Sequence, residues 1–481
     1  MSKESVGITV SKKDDFSEWY TQVVLKAELA DYAPVKGLIV LRPDGYAIWE
    51  SIKDTLDGKL KKTGHRNGFL PVLIPESLLG KEKDHFAGFN PEVFWVTHSG
   101  DSEIGDRLAL RPTSETLAYS LYSKWVQSWR NLPLKINFWN TALRAEIKAT
   151  KPFLRTSEFL WQEGHTVHAT KEEAEKEVMD VLEIYKNTVQ EELAIPVIVG
   201  KKSEKEKFVG AVYTTTMESI MPDGKALQMG TSHFLGQNFS KPFEVKFLNK
   251  DNVETYAWQT SWGVSWRLIG AMIMVHGDDK GLVLPPRVAP IQAVIVPIYY
   301  SDKDSERILQ KAGEVEKILV DKKIRVHVDR RDELTPGFKY NEWELRGVPL
   351  RIEIGPKDLE KQKVTIAKRH TRQKSDLALD RIESEIEGVL RQIQDEMFAA
   401  AKKLLQDRTV KGSEYSELKS ALEKGCFVDA PWCGKTVCEE KIKEETMADI
   451  RVIPFDGENK NGKCIYCKEK SATNVIFGRA Y

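Results

Sequence analysis

Cysteine is missing from the first 425 residues of this 481-residue chain. All five (Cys426, Cys433, Cys438, Cys464 and Cys467) fall in the last 56. An odd number so placed argues against a disulfide framework and for a metal. Net charge is missing too: 72 Lys and Arg balance 72 Asp and Glu, so any nucleic-acid partner must be held by a local basic patch. Long hydrophobic runs are absent, and stretches such as "LIGAMIMV" (268–275) fall far short of the roughly 20 residues that span a bilayer. The opening "MSKESVGITVSKKDDF" has no apolar segment and does not read as a signal peptide, so a cytoplasmic location is expected. No G-x-x-x-x-G-K-[ST] loop occurs, which argues against a P-loop ATPase. Internal repeats and low-complexity tracts do not stand out.

What is present is an ordinary globular composition, 41% apolar and 30% charged, with length for about three domains. Residues 13–31 predict an amphipathic helix with Phe16, Tyr20, Val23 and Val24 on one side. Residues 37–52 predict a strand, a Pro-Asp-Gly turn and a helix start. "GFLPVLIPE" (68–76), broken by two prolines, fits an edge or interface strand. From 107 to 273, short apolar strands around one long charged helix (171–193) predict an antiparallel sheet with flanking helices. "LPPRVAP" (284–290) marks a boundary, since three prolines in seven residues continue neither a helix nor a central strand. Beyond it, strands at 291–298, 324–329, 349–355 and 363–368 alternate with helices at 302–321 and 340–347, an α/β rhythm. Leu379, Ile382, Ile386, Val389, Ile393, Met397, Ala400 and Leu404 then keep helical spacing into the cysteine region.

The stretch "LRAEIKATKPFLRTSEFLWQEGH" (143–165) sets Arg144, Glu146, Lys148, Lys151, Arg155, Glu158 and Glu163 among apolar positions. Unpaired buried charge is costly, so such residues sit at the surface, pair, or face a charged ligand. A strand with Arg144 and Glu146, a Lys/Pro turn and a strand with Arg155 would bring two guanidiniums together, and their planar forks suit phosphate oxygens. A surface hairpin of paired charges fits the pattern equally well. "TSWGVSWRLIG" (260–270) places Arg267 in an apolar helix after a glycine-containing turn, where a lone arginine usually snorkels.

Together these two elements resemble motifs 2 and 3 of the class II aminoacyl-tRNA synthetases, and "GFLPVLIP" resembles motif 1. "RPTSET" (111–116), "FLRTSEFLWQEGH" (153–165), "ALQMGTSHFLGQNF" (226–239) and "TSWGVSWRLIGAMIMVHGDDKGLVLPP" (260–286) are similar to the prolyl-tRNA synthetases of archaeal and eukaryotic type, in order and over essentially the whole chain. The resemblance implies an α/β and α+β multidomain chain: a class II antiparallel-sheet catalytic domain (1–286), an α/β anticodon-binding domain (287–378) and a small zinc-binding α/β domain (379–481). It implies that Thr113, Glu115 and Arg144 hold proline, with Trp161, Phe208 and His233 around the ring. ATP, carrying Mg²⁺, would be held by Arg144, Glu146, Arg155, Thr156, Gln228, Thr231 and Arg267. Arg144 and Arg267 would be the catalytic arginines, and Pro71 would lie at a homodimer interface. Taken alone, Trp161 reads more simply as core. Trp266 departs from the small residue the family pattern leads one to expect, which puts the packing beside Arg267 in doubt.

Residues 321–374 carry 15 Lys and Arg against 9 Asp and Glu, a local excess of +6 that suits phosphate contacts and equally an ordinary charged surface. By resemblance this is the tRNA anticodon domain, with Glu344, Arg351 and Lys357 as candidates for base contacts. Cys433-x4-Cys438 and Cys464-x2-Cys467, 25 residues apart, are close to a four-thiolate structural zinc site, with free thiols as the alternative and Cys426 as a bystander. Tyr481 is expected near the proline pocket. "KKSEK" (201–205) has a faint similarity to a class I synthetase signature and reads as a solvated turn.

The implied activity is ligation of proline to tRNA(Pro) through a prolyl-adenylate. A non-charging, RNA-binding or regulatory paralogue is the second reading, disfavoured by intact Arg144, Arg155, Arg267 and Gln228. Charging of a different amino acid is the third, and Thr113 with Glu115 fits a small secondary amine better. Only 93 residues separate His165 from Gln259, too few for a large inserted editing domain.

Overall fold

Asp15 accepts a hydrogen bond from the Glu18 amide and so starts the first helix, α1 (Phe16–Lys26), which buries Trp19, Tyr20, Val23 and Val24. This computed structural model describes residues 7–85, 92–145, 149–299, 301–455 and 462–481. Helix α1 stops short of residue 31 because Glu28 adopts left-handed backbone, φ 61°. The turn expected at Pro43-Asp44-Gly45 is instead the first turn of α2 (Pro43–Lys62). Proline suits that position, where no amide is needed for the ladder. Gly45 is required there, since a Cβ would lie 2.2 Å from the Leu29 carbonyl oxygen.

Three strands, β1 (Leu73–Pro75), β2 (Trp95–Ser99) and β3 (Ser102–Leu110), form a small antiparallel sheet with β3 central. Helix α3 (Glu115–Trp125) follows. The main sheet is built from β4 (Leu134–Leu143), β5 (Glu158–His168), β6 (Ile198–Lys201), β7 (Tyr213–Ile220), β8 (Ala226–Gly236) and β9 (Trp258–Ser265), in the order 6-7-8-9-5-4. All these neighbours are antiparallel. Arg66–Gly68 adds a parallel strand at the outer edge of β4, so both halves of the proline-broken run occupy sheet edges. The charged helix α4 (Lys171–Glu192) lays Val178, Val181, Leu182, Tyr185 and Val189 against the sheet. Helix α5 (Arg267–His276) is buried from Leu268 through Met274 and joins α1 and α2 in the same core.

After the prolines, β10 (Ala293–Pro297), α6 (Asp302–Asp321), β11 (Val326–Val328), α7 (Pro336–Leu345), β12 (Leu350–Ile354), β13 (Lys363–Lys368) and β14 (Lys374–Ala378) form a five-stranded mixed sheet of order 11-10-12-13-14. The long helix α8 (Ile382–Asp407) puts Ile382, Ile386, Leu390, Ile393 and Met397 into this second core, so its apolar face belongs with the unit before it. A third unit follows, with β15 (Thr409–Lys411), β16 (Phe427–Trp432), α9 (Thr436–Thr446), β17 (Ala448–Pro454) and β18 (Thr473–Arg479). Its strands extend the main sheet. Ile453 and Pro454 of β17 pair with Lys201 and Gly200 of β6, which yields one sheet of eleven strands.

Candidate active site

Strands β5, β7, β8 and β9, Arg144, residues 153–156 and the start of α5 line a cavity of about 480 Å³. Its lining includes Thr113, Glu115, Arg144, Arg155, Thr156, Trp161, Phe208, Gln228, Thr231, His233 and Arg267. Of the catalytic-domain candidates named above, only Glu146 is missing from this group, because it lies outside the described residues.

One end of the cavity suits a small amino acid. Thr113 donates its hydroxyl hydrogen to the Glu115 carboxylate. Beneath them Glu163, fully buried on β5, accepts from Thr113 at 3.2 Å, from the Ser114 amide at 3.1 Å, from Asn140 at 3.0 Å and from the Ser114 hydroxyl. His165 lies 3.1 Å from it. Burial works against ionisation of Glu163, but these bonds, His165 first, hold its pKa below the usual carboxylate value. The sequence names Glu163 only as one of the charges of 143–165, with no role in the site, and His165 and Asn140 are given none either. The signal available was the acid and histidine in "WQEGH", at alternate positions of a strand. Phe208 lies tilted against His233 with ring centres 4.7 Å apart, and the His233 nitrogens meet the Thr214 and Thr231 hydroxyls at 2.9 and 3.1 Å. Burial pushes the His233 pKa down to about 3, so the ring is neutral at pH 7.

The other end gathers cations. Arg144 and Arg155 do not sit on the two strands of a hairpin as expected. They flank the loop between β4 and β5, because Pro152 and the left-handed Phe153 (φ 61°) curl the chain so that Lys151 pairs with Arg155. The Arg144 guanidinium lies 5.3 Å from the Phe159 ring centre and 5.9 Å from that of Trp161. Arg267 is not inside its helix but is its first residue, where the helix dipole also favours an anion. Gly263 lies in β9 rather than in a turn. Burial, then the neighbouring Arg144 charge, brings the Arg267 pKa down to about 10, so it remains a cation. Trp266 is accommodated: it is buried, caps α5 and meets Phe153 edge-on at 5.9 Å. Three guanidiniums and a helix N-terminus make this end a receptor for a polyphosphate, while the carboxylates and aromatics opposite suit a compact ammonium.

Tyr481 does not line this cavity. It lies in a neighbouring one of about 360 Å³, and the two share only Leu154 and Arg155. Lys151 and Lys225 approach its ring centre at 5.7 and 5.0 Å. "KKSEK" is not a solvated turn either: Lys202 and Ser203 are buried, and Lys202 pairs with Glu218 at 2.5 Å.

In the second unit, Glu344 and Arg351 pair at 3.1 Å beside a cavity of about 90 Å³ that also meets Lys368, Arg369, Arg372 and Lys374. Arg351 is further held by Glu353 at 3.0 Å and lies 4.0 Å over the Tyr340 ring centre. Lys357 is exposed on a short helix, Pro356–Glu360, and does not join this cavity. In the third unit the Cys433, Cys438, Cys464 and Cys467 sulfurs all lie within 4.8 Å of one another, and Cys433 approaches Cys438 at 3.5 Å. Cys426 stands apart as a free thiol. Burial raises the thiol pKa of Cys433 and Cys438, so unliganded thiolates there are disfavoured. Four soft donors at one point fit a tetrahedral zinc ion.

Comparison with known proteins matches three family models along the chain: the tRNA synthetase class II core domain (G, H, P, S and T) at residues 94–276, an anticodon-binding domain at 292–388, and the prolyl-tRNA synthetase C-terminal domain at 415–481. A proline–tRNA ligase of Cenarchaeum symbiosum is 69% identical over 99% of this chain and 100% of its own length. That of Natranaerobius thermophilus is 51% identical over 100% and 99%. Among solved structures, prolyl-tRNA synthetase from Cryptosporidium parvum, complexed with halofuginone and AMPPNP, superposes with a TM-score of 0.96 at 43% identity, covering 99% of this chain and 100% of that one.

Proposed function

Because the chain belongs to the prolyl-tRNA synthetases, aminoacyl-tRNA ligases that join proline to tRNA, we propose how its pocket divides the work. Glu115 and Thr113 take the cationic secondary amine of proline, and Arg144 takes its carboxylate. Trp161, Phe208 and His233 wall the ring, and a neutral His233 adds no charge against the ammonium. Arg155, Thr156, Gln228, Thr231 and Arg267 receive ATP as its Mg²⁺ complex, with Glu146 assigned to the same group by resemblance. The proline carboxylate attacks the α-phosphorus in line, the α–β oxygen bridge breaks, and pyrophosphate leaves with the bond electrons. The tRNA 3′-terminal hydroxyl then attacks the prolyl carbonyl and AMP departs. Positioning and charge stabilisation carry such steps, with Arg144 and Arg267 as the catalytic arginines and no side-chain nucleophile needed.

The convergence of three guanidiniums and the Thr113–Glu115 pair on one cavity carries this reading. Residues 166–258 are taken up by α4 and strands of the catalytic unit, which supports the absence of a separate editing domain and hence of alanine clearance in cis. Exposed Phe69, Val72, Phe94 and Trp95, on and around the β1–β3 sheet beside Pro71, support a homodimer formed through that face. Arg111 steadies it from below, donating to the Leu70 and Pro71 carbonyls at 2.7 and 3.3 Å. Cys433, Cys438, Cys464 and Cys467 hold structural zinc. Glu344 and Arg351 meet the anticodon, with Lys357 as an outlying contact. The protein works in the cytoplasm; among the described residues no helix is long and apolar enough to cross a membrane. Pyrophosphate exchange into ATP, driven by proline, tests the whole assignment. Exchange that is absent, or as rapid with alanine as with proline, would remove it.

A further inference from the structure

The buried cluster at the seam between catalytic sheet and third unit has no part in the assignments above. Glu218, fully buried on β7, accepts from Lys202 Nζ at 2.5 Å and from Arg451 of β17 through Nε at 3.2 Å and Nη2 at 3.0 and 3.1 Å. Lys202 Nζ also donates to the Arg451 carbonyl at 3.1 Å. All three side chains are more than nine-tenths buried.

The register of the sheet ties this cluster to the cavity. On β7 and β8, Thr214 stands opposite His233, Thr216 opposite Thr231, and Glu218 opposite Gln228. Directly opposed residues of an antiparallel pair project from the same face. His233, Thr231 and Gln228 line the cavity; Thr216 and Glu218, on either side of a register shift between Met217 and Glu218, stand outside that lining but pair directly with it, at the end where the nucleotide is placed. Thr216 also donates to Glu218 at 3.3 Å. Among the described residues Glu218 is also the carboxylate whose charge acts most strongly on Arg267, whereas Arg144, Arg155 and Arg451 repel it.

From this placement we infer that Arg451 of the third unit is a positioning residue for the nucleotide end of the active site. With Lys202 it occupies Glu218, and so keeps that carboxylate from drawing Arg267 out of the cavity. A buried carboxylate seeks every cation within reach. With two already bonded to it, the Arg267 fork stays available to phosphate. Without Arg451, Glu218 keeps one bonded cation and pulls on Arg267, and the cavity loses a nearby positive charge. Both changes weaken binding of a polyanion and leave the Thr113–Glu115 end untouched.

This rests on the nucleotide reading of the cavity, and wild-type exchange activity tests that reading separately. The full-length protein with Arg451→Met, Arg451→Lys or Lys202→Met is assayed by proline-dependent pyrophosphate exchange, with thermal unfolding measured alongside. Arg451→Met should raise KM for ATP about tenfold, the response to losing one favourable contact of ordinary strength. Its KM for proline should stay within about twofold, since no contact of that end changes. Arg451→Lys should recover most of the ATP affinity. Lys202→Met removes the other cation and should act in the same direction, which keeps the test available should Arg451→Met not fold. A lower Tm with ATP and proline KM both unchanged, or both raised equally, would make the cluster a plain interdomain brace and overturn the inference.

Discussion

Arg369 grips Asp278 with both ends of its fork, Nη1 to Oδ2 at 2.9 Å and Nη2 to Oδ1 at 2.6 Å, and Arg372 adds a third contact at 2.7 Å. Asp278 lies two residues beyond α5, the helix that begins with Arg267, while both arginines line the small cavity beside Glu344 and Arg351. The anticodon-binding unit and the cationic end of the cavity are therefore joined through one helix. Asp278→Ala should leave proline-dependent exchange within about twofold, because that reaction uses the catalytic cavity alone. Charging of tRNA should fall about tenfold in kcat/KM, the equivalent of one lost bidentate contact between the units. Equal losses in both assays would locate the defect in folding and not in the link.

Arg267 offers a fork at a helix N-terminus, and lysine offers only a point charge. Arg267→Ala should reduce the exchange rate by about 10²–10³, the range for removing one preorganised donor to developing charge. Arg267→Lys should fall between the two. Exchange kinetics at saturating proline, with ATP varied, decide this. A Lys variant as slow as Ala would mean that geometry counts and charge alone does not.

The element pattern was legible where periodicity and punctuation agreed. Helix 302–321 and the alternating strands around it are where apolar spacing places them. Pro43-Asp44-Gly45 was misleading, because proline is as good a helix starter as a turn former and only the Leu29 carbonyl shows why glycine is needed. For Arg144 and Arg155 the pattern alone left phosphate contact and a paired surface hairpin equal, and their place in a curled loop depends on Phe153 taking positive φ, which no phenylalanine announces. The least legible feature was long-range. Lys202 reads as one more surface lysine until β17, some 250 residues later, seals it against Glu218 and Arg451. Burial by a distant strand leaves no local trace.

The third unit keeps a modest core around Leu418, Leu422, Val428, Ile442, Val475 and Phe477, with the four cysteines at one side. A metal there would tie the 433–438 turn to the 464–467 turn and bring binding energy into folding. Purified protein should contain about one zinc per chain by metal analysis. Chelation, or Cys438→Ser, should lower the Tm of this unit and, through the β6–β17 pairing, raise KM for ATP more than KM for proline. Metal-free protein with an unchanged melting curve would show that the thiols need no ion.

Three histidines are held neutral by burial: His233 at about 3, and His168 and His276 at about 4, against an ordinary value near 6.5. Because the folded values are depressed, the unfolded chain binds protons that the native chain refuses between pH 6.5 and 4. Their contribution to stability is complete above pH 6.5 and is lost as pH falls through that window, at about 1.4 kcal/mol per pH unit for each histidine. Asp278 behaves differently. Burial opposes its charge, but Arg369 and Arg372 prevail and hold it at about 2, so its contribution persists above an ordinary aspartate value and disappears only between about pH 4 and 2. Urea unfolding at pH 7, 6 and 5 should thus show falling stability before most carboxylates titrate. His276→Gln keeps a donor for the Leu193 carbonyl, which the histidine Nε2 meets at 2.8 Å, and should flatten the slope by at most about one third, since burial also lowers His327 and His370. A slope unchanged in that variant would mean that His276 takes up its proton in the folded protein as readily as in the unfolded one.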